Sequence, residues 1–258
     1  MSELLRCQGL TMRFGGLVAL DGLDLTLGSG EILGLIGPNG SGKTTFFNLL
    51  TGLYTPTDGR IHFAENDMTT ASPQRIFESG VARTFQRSRL CLPLSVFDNI
   101  VIGSHRHQQH GLWSSLTRRS ALAAEIDYQF DNATELLRGF SASLVMRMNE
   151  PVASLTMIDR RRVEICRALI GKPKLLLLDE PSAGMTFDET RALMDDLLVV
   201  KARSPELSVI LIEHEMSVIE RVTERCIALN FGKKIAEGRY RDVAADSQVQ
   251  AAYLGTVT

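Results

Sequence analysis

A chain of 258 residues, 44% hydrophobic and 22% charged, is long enough to bury a full core as one large domain or as a domain with an inserted subdomain. Its net charge of -2 gives no case for nucleic acid as an obligatory partner. Cys7, Cys91, Cys166 and Cys226 form no C-x-x-C pair, which suits thiols used as small hydrophobes in a reducing cytosol. The first residues lack the apolar region of a signal peptide, and no apolar run approaches the ~20 residues that span a bilayer. A membrane role has to be borrowed from a partner.

In chain order, Leu4 to Thr11 and Leu20 to Leu27 read as strands. In the second, Leu23, Leu25 and Leu27 alternate with Asp24 and Thr26, the period of a half-buried antiparallel strand. Gly28-Ser29-Gly30 turns the chain into a buried strand, Glu31 to Ile36. Gly37-Pro38-Asn39-Gly40-Ser41-Gly42-Lys43-Thr44-Thr45 follows, and then an apolar helix, Phe46 to Leu50, closed by Gly52. Strand, glycine-rich turn and helix in that order are the context that makes G-x-x-x-x-G-K-[ST] a phosphate-binding loop. Gly37, Gly40 and Gly42 let the backbone bend so that several N–H groups converge on one anion, and the helix dipole points to the same place. Lys43 would reach the outer phosphates and the Thr44 hydroxyl would hold Mg²⁺. Thr55 to Gly59 is a turn leading to the strand Arg60 to Phe63, and Val81 to Gln86 reads as a strand with a polar end.

From Arg87 to Arg162 helical spacing replaces strand patterns, as at Val96, Asn99, Ile100 and at Leu136, Leu137, Phe140. Ser95 with Asp98 resembles a capping-box helix start, and Ser104 to Arg119 is polar enough for a solvated connection. Strand texture then returns in Lys174 to Leu178, which ends in Asp179 and Glu180. A helix over Thr190 to Lys201 follows, then a strand, Ser208 to Ile212, that ends at Glu213 and His214. The alternation implies a mostly parallel sheet with its ligand at the carboxyl ends of the strands.

At such an edge Asp179 can bind Mg²⁺ and Glu180 can deprotonate an attacking water; the competing reading is a solvated acidic pair. His214 could donate to a γ-phosphate or be an ordinary loop histidine. Gln86 could bridge metal and water, and Phe14 could stack on adenine or belong to the core. His105-x-His107-x-x-His110 invites a metal reading but has no Cys or carboxylate cluster beside it.

The ordered set Phe14, Gly37 to Thr45, Gln86, Leu178-Asp179-Glu180-Pro181 and His214 resembles the ATP-binding subunit of an ATP-binding cassette (ABC) transporter. In that family these are the adenine-stacking aromatic, the Walker A loop, the Q-loop, the Walker B motif and the H-loop. Gly80 to Gln86, the stretch after Ser95 to Ile100, and the ending Ala252-Tyr253-Leu254-Gly255 resemble the branched-chain amino-acid importer ATPases more narrowly. The resemblance implies an α/β P-loop NTPase fold with an N-terminal antiparallel β subdomain and an inserted helical subdomain. As one nucleotide-binding domain, residues 1–258 would divide into an α/β core (1–86 and 163–233), a helical subdomain (87–162) and a tail (234–258). It further implies ATP and Mg²⁺, an ATPase dimer, transmembrane permease subunits and, indirectly, an external solute-binding protein, with the chain peripheral on the cytoplasmic face of the inner membrane.

The family's Leu-Ser-Gly-Gly-Gln signature aligns with Leu155-Thr156-Met157-Ile158-Asp159. Met157 and Ile158 cannot give the close backbone approach of glycine, and Asp159 adds negative charge beside the expected γ-phosphate. Ser182 to Thr186 also lacks the usual Asp or Asn at its end. An unequal pair with a second, different ATPase is the expectation. A urea or amide importer, a lipopolysaccharide-export ATPase and a soluble ABC ATPase are the alternatives.

Overall fold

The computed structural model describes residues 2–86, 88–107 and 119–254. They form two compact units. The first comprises Met1–Arg83, Lys174–Pro181 and Pro205–Thr258, and the second Thr84–Pro173 and Ser182–Ser204. The strands are β1 (Glu3–Phe14), β2 (Leu17–Gly28), β3 (Ile32–Ile36), β4 (Asp58–Phe63), β5 (Asn66–Asp67), β6 (Val81–Arg83), β7 (Leu175–Asp179), β8 (Ser208–Ile212), β9 (Arg225–Asn230) and β10 (Lys233–Gly238). The helices are α1 (Lys43–Leu50), α2 (Pro73–Ser79), α3 (Val96–Val101), α4 (Arg119–Phe140), α5 (Ala142–Val145), α6 (Met157–Leu169), α7 (Phe187–Arg203), α8 (Met216–Val222), α9 (Tyr240–Ala245) and α10 (Ser247–Leu254).

The first unit holds both sheets. One is antiparallel in the order β2-β1-β4-β5, and the other runs β10-β9-β3-β8-β7-β6 with β10 antiparallel to β9 and the remaining pairs parallel. Every residue of β3, β7 and β8 is buried, as an apolar run without alternation requires of strands covered on both faces. Between the sheets, Phe46 and Phe47 of α1 share one core with Leu10, Leu20 and Leu25 from the antiparallel side and Leu35, Leu177 and Ile210 from the parallel side. Each of these side chains contributes roughly 1.5–3 kcal/mol by leaving water.

Polar groups set the turn into β3. The buried Ser208 hydroxyl accepts from Gly30 N (2.9 Å) and donates to Gly28 O (3.1 Å). Glu31 accepts from Gly28 N and from Arg225, each at 2.8 Å. With these ties the turn cannot slide along β8, so the register of β3, and with it the place where Ile36 ends, is held.

In the second unit the capping box at Ser95 is present: its hydroxyl accepts from Asp98 N at 3.0 Å while Asp98 accepts from Ser95 N. Helix α4 packs on α3, α5, α6 and α7, burying Leu137 and Phe140 as their spacing predicts. The unit takes in α7 and all of α6, a wider span than 87–162.

Two sequence expectations need correction. The strand from Val81 stops at Arg83 rather than Gln86, because the carbonyls of Phe85 and Gln86 accept from Arg161 instead of continuing a ladder. Ser104 is buried and donates to Val101 O at 2.8 Å, in a 3₁₀ turn over Ile102–His107 where Gly103 lies so close to Arg167 O that no Cβ would fit. The rest of the expected solvated connection, 108–118, lies outside the described residues, as does Gly255 of the ending.

Burial raises the pKa of the Cys7 and Cys166 thiols and pushes that of Cys226 up to about 11, so these three behave as core groups. Truncating Leu177→Ala in the middle of β7 should destabilise the chain by about 3–4 kcal/mol and lower Tm by about 6–16 °C in a thermal melt. A shift under about 2 °C would mean that β7 is not packed on both faces.

Candidate nucleotide site

The phosphate loop leaves β3 at Gly37, where φ is 147° and a Cβ would lie 2.2 Å from Leu229 O. Gly42 has φ 107° and would put a Cβ 2.6 Å from Ala19 O. Both positions therefore exclude other residues by space as well as by conformation. Helix α1 begins at Lys43, with Gly42 as an N-cap that makes no side-chain cap bond and no acidic residue in the first turn. Its leading N–H groups and positive dipole end are thus left for an anion.

The buried Ser41 hydroxyl is among the described side-chain atoms with no hydrogen-bond partner. Lys43 is buried and donates to Gly37 O (2.6 Å) and Pro38 O (3.0 Å). Burial lowers its pKa, while the carboxylates of Glu180 and Asp179 pull it back up. A desolvated ammonium, an orphaned hydroxyl and uncapped amides within one loop fit the phosphates of a nucleotide. Asn39, Gly40 and Thr44 are exposed and Pro38 and Thr45 half-buried.

Phe14, at the end of β1, is 41% exposed rather than a core residue, and meets Tyr54 edge-on with centroids 5.2 Å apart. Tyr54 belongs to no motif; in the sequence it is only an aromatic just after the helix that follows the loop.

The acidic residues stand at strand carboxyl ends, as predicted. Asp179 is the last residue of β7, buried, and held by Arg83 Nη2 at 2.7 Å. Arg83 also donates to Asn48 Oδ1 (2.7 Å) and lies over the Phe47 ring. Its signal in the sequence is a cation at the end of an apolar strand. Glu180 adopts φ 48°, a left-handed conformation costing about 1–3 kcal/mol for a non-glycine residue, and its N–H donates to Ile212 O at 2.9 Å. His214 Nε2 lies 2.7 Å from Glu180 Oε1. Two residues read separately from the sequence form one pair, and a carboxylate so oriented can accept a proton from water.

Gln86 belongs to the second unit, where it is exposed. Its backbone is tied down by Arg161, which donates to Phe85 O (3.1 Å) and Gln86 O (3.3 Å) and is itself buried in a 2.7 Å ion pair with Glu164. In the same unit Thr156 caps α6, accepting from Asp159 N at 3.3 Å. Asp159 pairs with Arg162 at 3.0 Å, and Arg162 in turn reaches Asp196. Met157 is 49% exposed, and a Cβ at Gly184 would come 3.0 Å from its Cε. Thr186, where Asp or Asn was expected, forms a capping box with Glu189 at the start of α7.

Among the described residues no cluster of three or more His, Cys, Asp or Glu could hold a metal. His110 and the side chains of His105 and His107 lie outside what is described.

Residues 20–183 match the ABC transporter family, and residues 233–257 match the branched-chain amino acid ATP-binding cassette transporter family. The chain is 37% identical over 252 residues, 98% of each chain, to the high-affinity branched-chain amino acid transport ATP-binding protein LivG of Salmonella typhimurium. It is 35% identical over 255 residues, again 98% of each, to its counterpart BraF of Pseudomonas aeruginosa. The ADP conformation of the cassette MJ1267 superposes with a TM-score of 0.84 at 28% identity, covering 99% of this chain and 100% of the other. The chain belongs to the ABC transporter family, as an ATP-binding cassette resembling the ATPases of branched-chain amino-acid importers.

Proposed function

We propose that this cassette binds and hydrolyses ATP to energise a membrane importer of branched-chain or related amino acids. The observation that carries the reading is the gathering, within one unit, of the loop Gly37 to Thr45 with the Glu180–His214 pair at the ends of adjacent parallel strands. Residues 1–258 would act as a single nucleotide-binding domain.

In this assignment amides within Asn39 to Thr45 and the Lys43 ammonium bind the phosphates, Gly37 and Pro38 shape the start of the loop, and Phe14 stacks on adenine. Glu180 takes the proton of the water that attacks the γ-phosphorus, releasing ADP. His214 orients that carboxylate and donates toward the transferred phosphoryl group. Thr44, Gln86 and Asp179 would hold Mg²⁺, which supplies charge neutralisation as the leaving oxygen develops. The buried Arg83 fixes the Asp179 carboxylate for this purpose.

Among the described residues no helix is long and apolar enough to cross a membrane. Transmembrane permease subunits, with an external solute-binding protein beyond them, are the partners that would place the chain on the cytoplasmic face of the inner membrane. The partner ATPase would be a different chain. Because Asp159 is paired with Arg162, its charge is partly neutralised, and the weakness of Leu155 to Asp159 lies chiefly in Met157 and Ile158, whose side chains bar close approach to a phosphate.

Three measurements test this. Glu180→Gln should lower ATP turnover by about 10²–10⁴-fold, the scale of general-base catalysis, while ATP binding persists; unchanged turnover would remove Glu180 from its role. The chain alone should turn over ATP slowly. Changing Met157, Ile158 and Asp159 together to Gly, Gly and Gln should then raise its rate about tenfold or more, since one well-placed donor is worth about 10²-fold or more. A rapid, cooperative ATPase in the unmodified chain would sink the unequal pair. Affinity purification from membranes should bring down permease subunits and a second cassette; recovery of the chain without membrane proteins would point to a soluble ABC ATPase.

A further inference from the structure

The ending Ala252-Tyr253-Leu254 has a place in the structure that its use as a family resemblance does not explain. The segment after β10 folds back as α9 and α10, which pack on each other and on β10, and Val243 and Val249 on them are almost wholly buried. Asp246 starts α10 by accepting from Gln248 N (2.8 Å) and Val249 N (3.3 Å), and Gln250 reaches back to Ala244 O. The helix ends with Leu254 82% exposed, so burial of its last apolar residue does not hold it down. Instead the Tyr253 hydroxyl accepts a hydrogen bond from Gly37 N at 2.7 Å. That amide is the first of the phosphate loop and lies beyond the last register pairs of β3, Leu35 with Ile212 and Ile36 with Ala228.

We propose that α10 is a positioning element of the phosphate loop and that the Tyr253 hydroxyl is its point of action. Gly37 is held on both sides: its N–H by Tyr253 and its carbonyl by Lys43 at 2.6 Å. The contact with Leu229 O limits where the Gly37 Cα sits but leaves the turn of its peptides to other restraints, and glycine imposes few of its own. When Lys43 turns to the phosphates, in the role proposed above, it releases the Gly37 carbonyl. Among the described residues Tyr253 is then the side-chain tie that stays on the residue from which the loop springs. Loss of that tie acts most in the nucleotide-bound protein, where Lys43 no longer shares the work. Burial raises the phenol's pKa, so it stays protonated through the neutral range.

The inference rests on the proposed nucleotide site, and the test separates the two. Full-length wild type, Lys43→Ala, Tyr253→Phe and Tyr253→Ala are titrated with a fluorescent ATP analogue and with ADP, and melted with and without nucleotide. Wild-type binding that Lys43→Ala abolishes supports the site itself; absence of wild-type binding overturns both readings. For Tyr253→Phe the expected result is a rise of about five- to tenfold in Kd for both nucleotides, the loss of one net hydrogen bond. Its nucleotide-free Tm should lie within about 1 °C of wild type, its nucleotide-induced rise in Tm should shrink, and KM for ATP should change more than kcat. Tyr253→Ala should weaken binding at least as much. Unchanged affinity in Tyr253→Phe, or an equal loss of Tm with and without nucleotide, overturns the proposal and leaves the hydroxyl as an anchor for the tail alone.

Discussion

The close run of β3 beside β9 is the constraint from which the nucleotide site follows. Where β3 ends, the backbone passes so near Leu229 O that only glycine fits at Gly37, and five residues later the loop meets Ala19 O with the same result at Gly42. Between these two points the chain has to bend tightly, and at its far end the leading amides of α1 are left without a side-chain cap. The anion cradle is therefore a consequence of packing: a loop pressed between two backbones has few shapes, and the shape it takes is one that a phosphate completes. The buried Ser41 hydroxyl and the desolvated Lys43 ammonium would be costly in a loop with no anionic ligand.

The acidic edge obeys a different economy. A carboxylate at the end of an all-apolar strand is expensive to bury, and Arg83 compensates by reaching Asp179 from the neighbouring strand. Such a pair adds little net stability compared with apolar packing. What it gives is orientation, because Arg83 is itself fixed by Asn48 and by the Phe47 ring. Phe47 and Asn48 belong to α1, so the helix that carries the phosphate loop also aligns the carboxylate opposite. Glu180 is strained for a related reason: the chain must leave β7 sharply while its amide stays bonded to Ile212, and the left-handed turn aims the side chain at His214.

Much of this was legible in the sequence where one residue type has one use. Glycines with a following Lys-Thr, an unbroken leucine run ending in two acids, and a Ser-x-x-Asp cap each correspond to a local geometry, and β3, β7 and α3 lie where those patterns place them. Contacts between distant segments were not legible. That Glu180 and His214 touch depends on β7 pairing with β8, and nothing in either segment encodes the other. Arg83 and Tyr253 were in plain view as parts of motifs, yet their partners lie 96 and 216 positions away. The end of β6 was misplaced because Arg161, far along the chain, competes for the carbonyls that would have continued it.

The departures at Leu155 to Asp159 gain meaning from the same kind of long-range accounting. Read alone, Asp159 is a charge in the wrong place; in the fold it is one end of a chain of pairs through Arg162 to Asp196. Thr156 keeps the capping role that a Ser would have, so α6 starts normally and its dipole still points outward. What remains unlike the family pattern is steric. Met157 stands half-exposed beside Gly184 and carries a side chain where the family pattern has glycine. Capping and charge pairing at the start of α6 are those of an ordinary helix N-terminus, and the difference that remains is the bulk of the Met157 and Ile158 side chains.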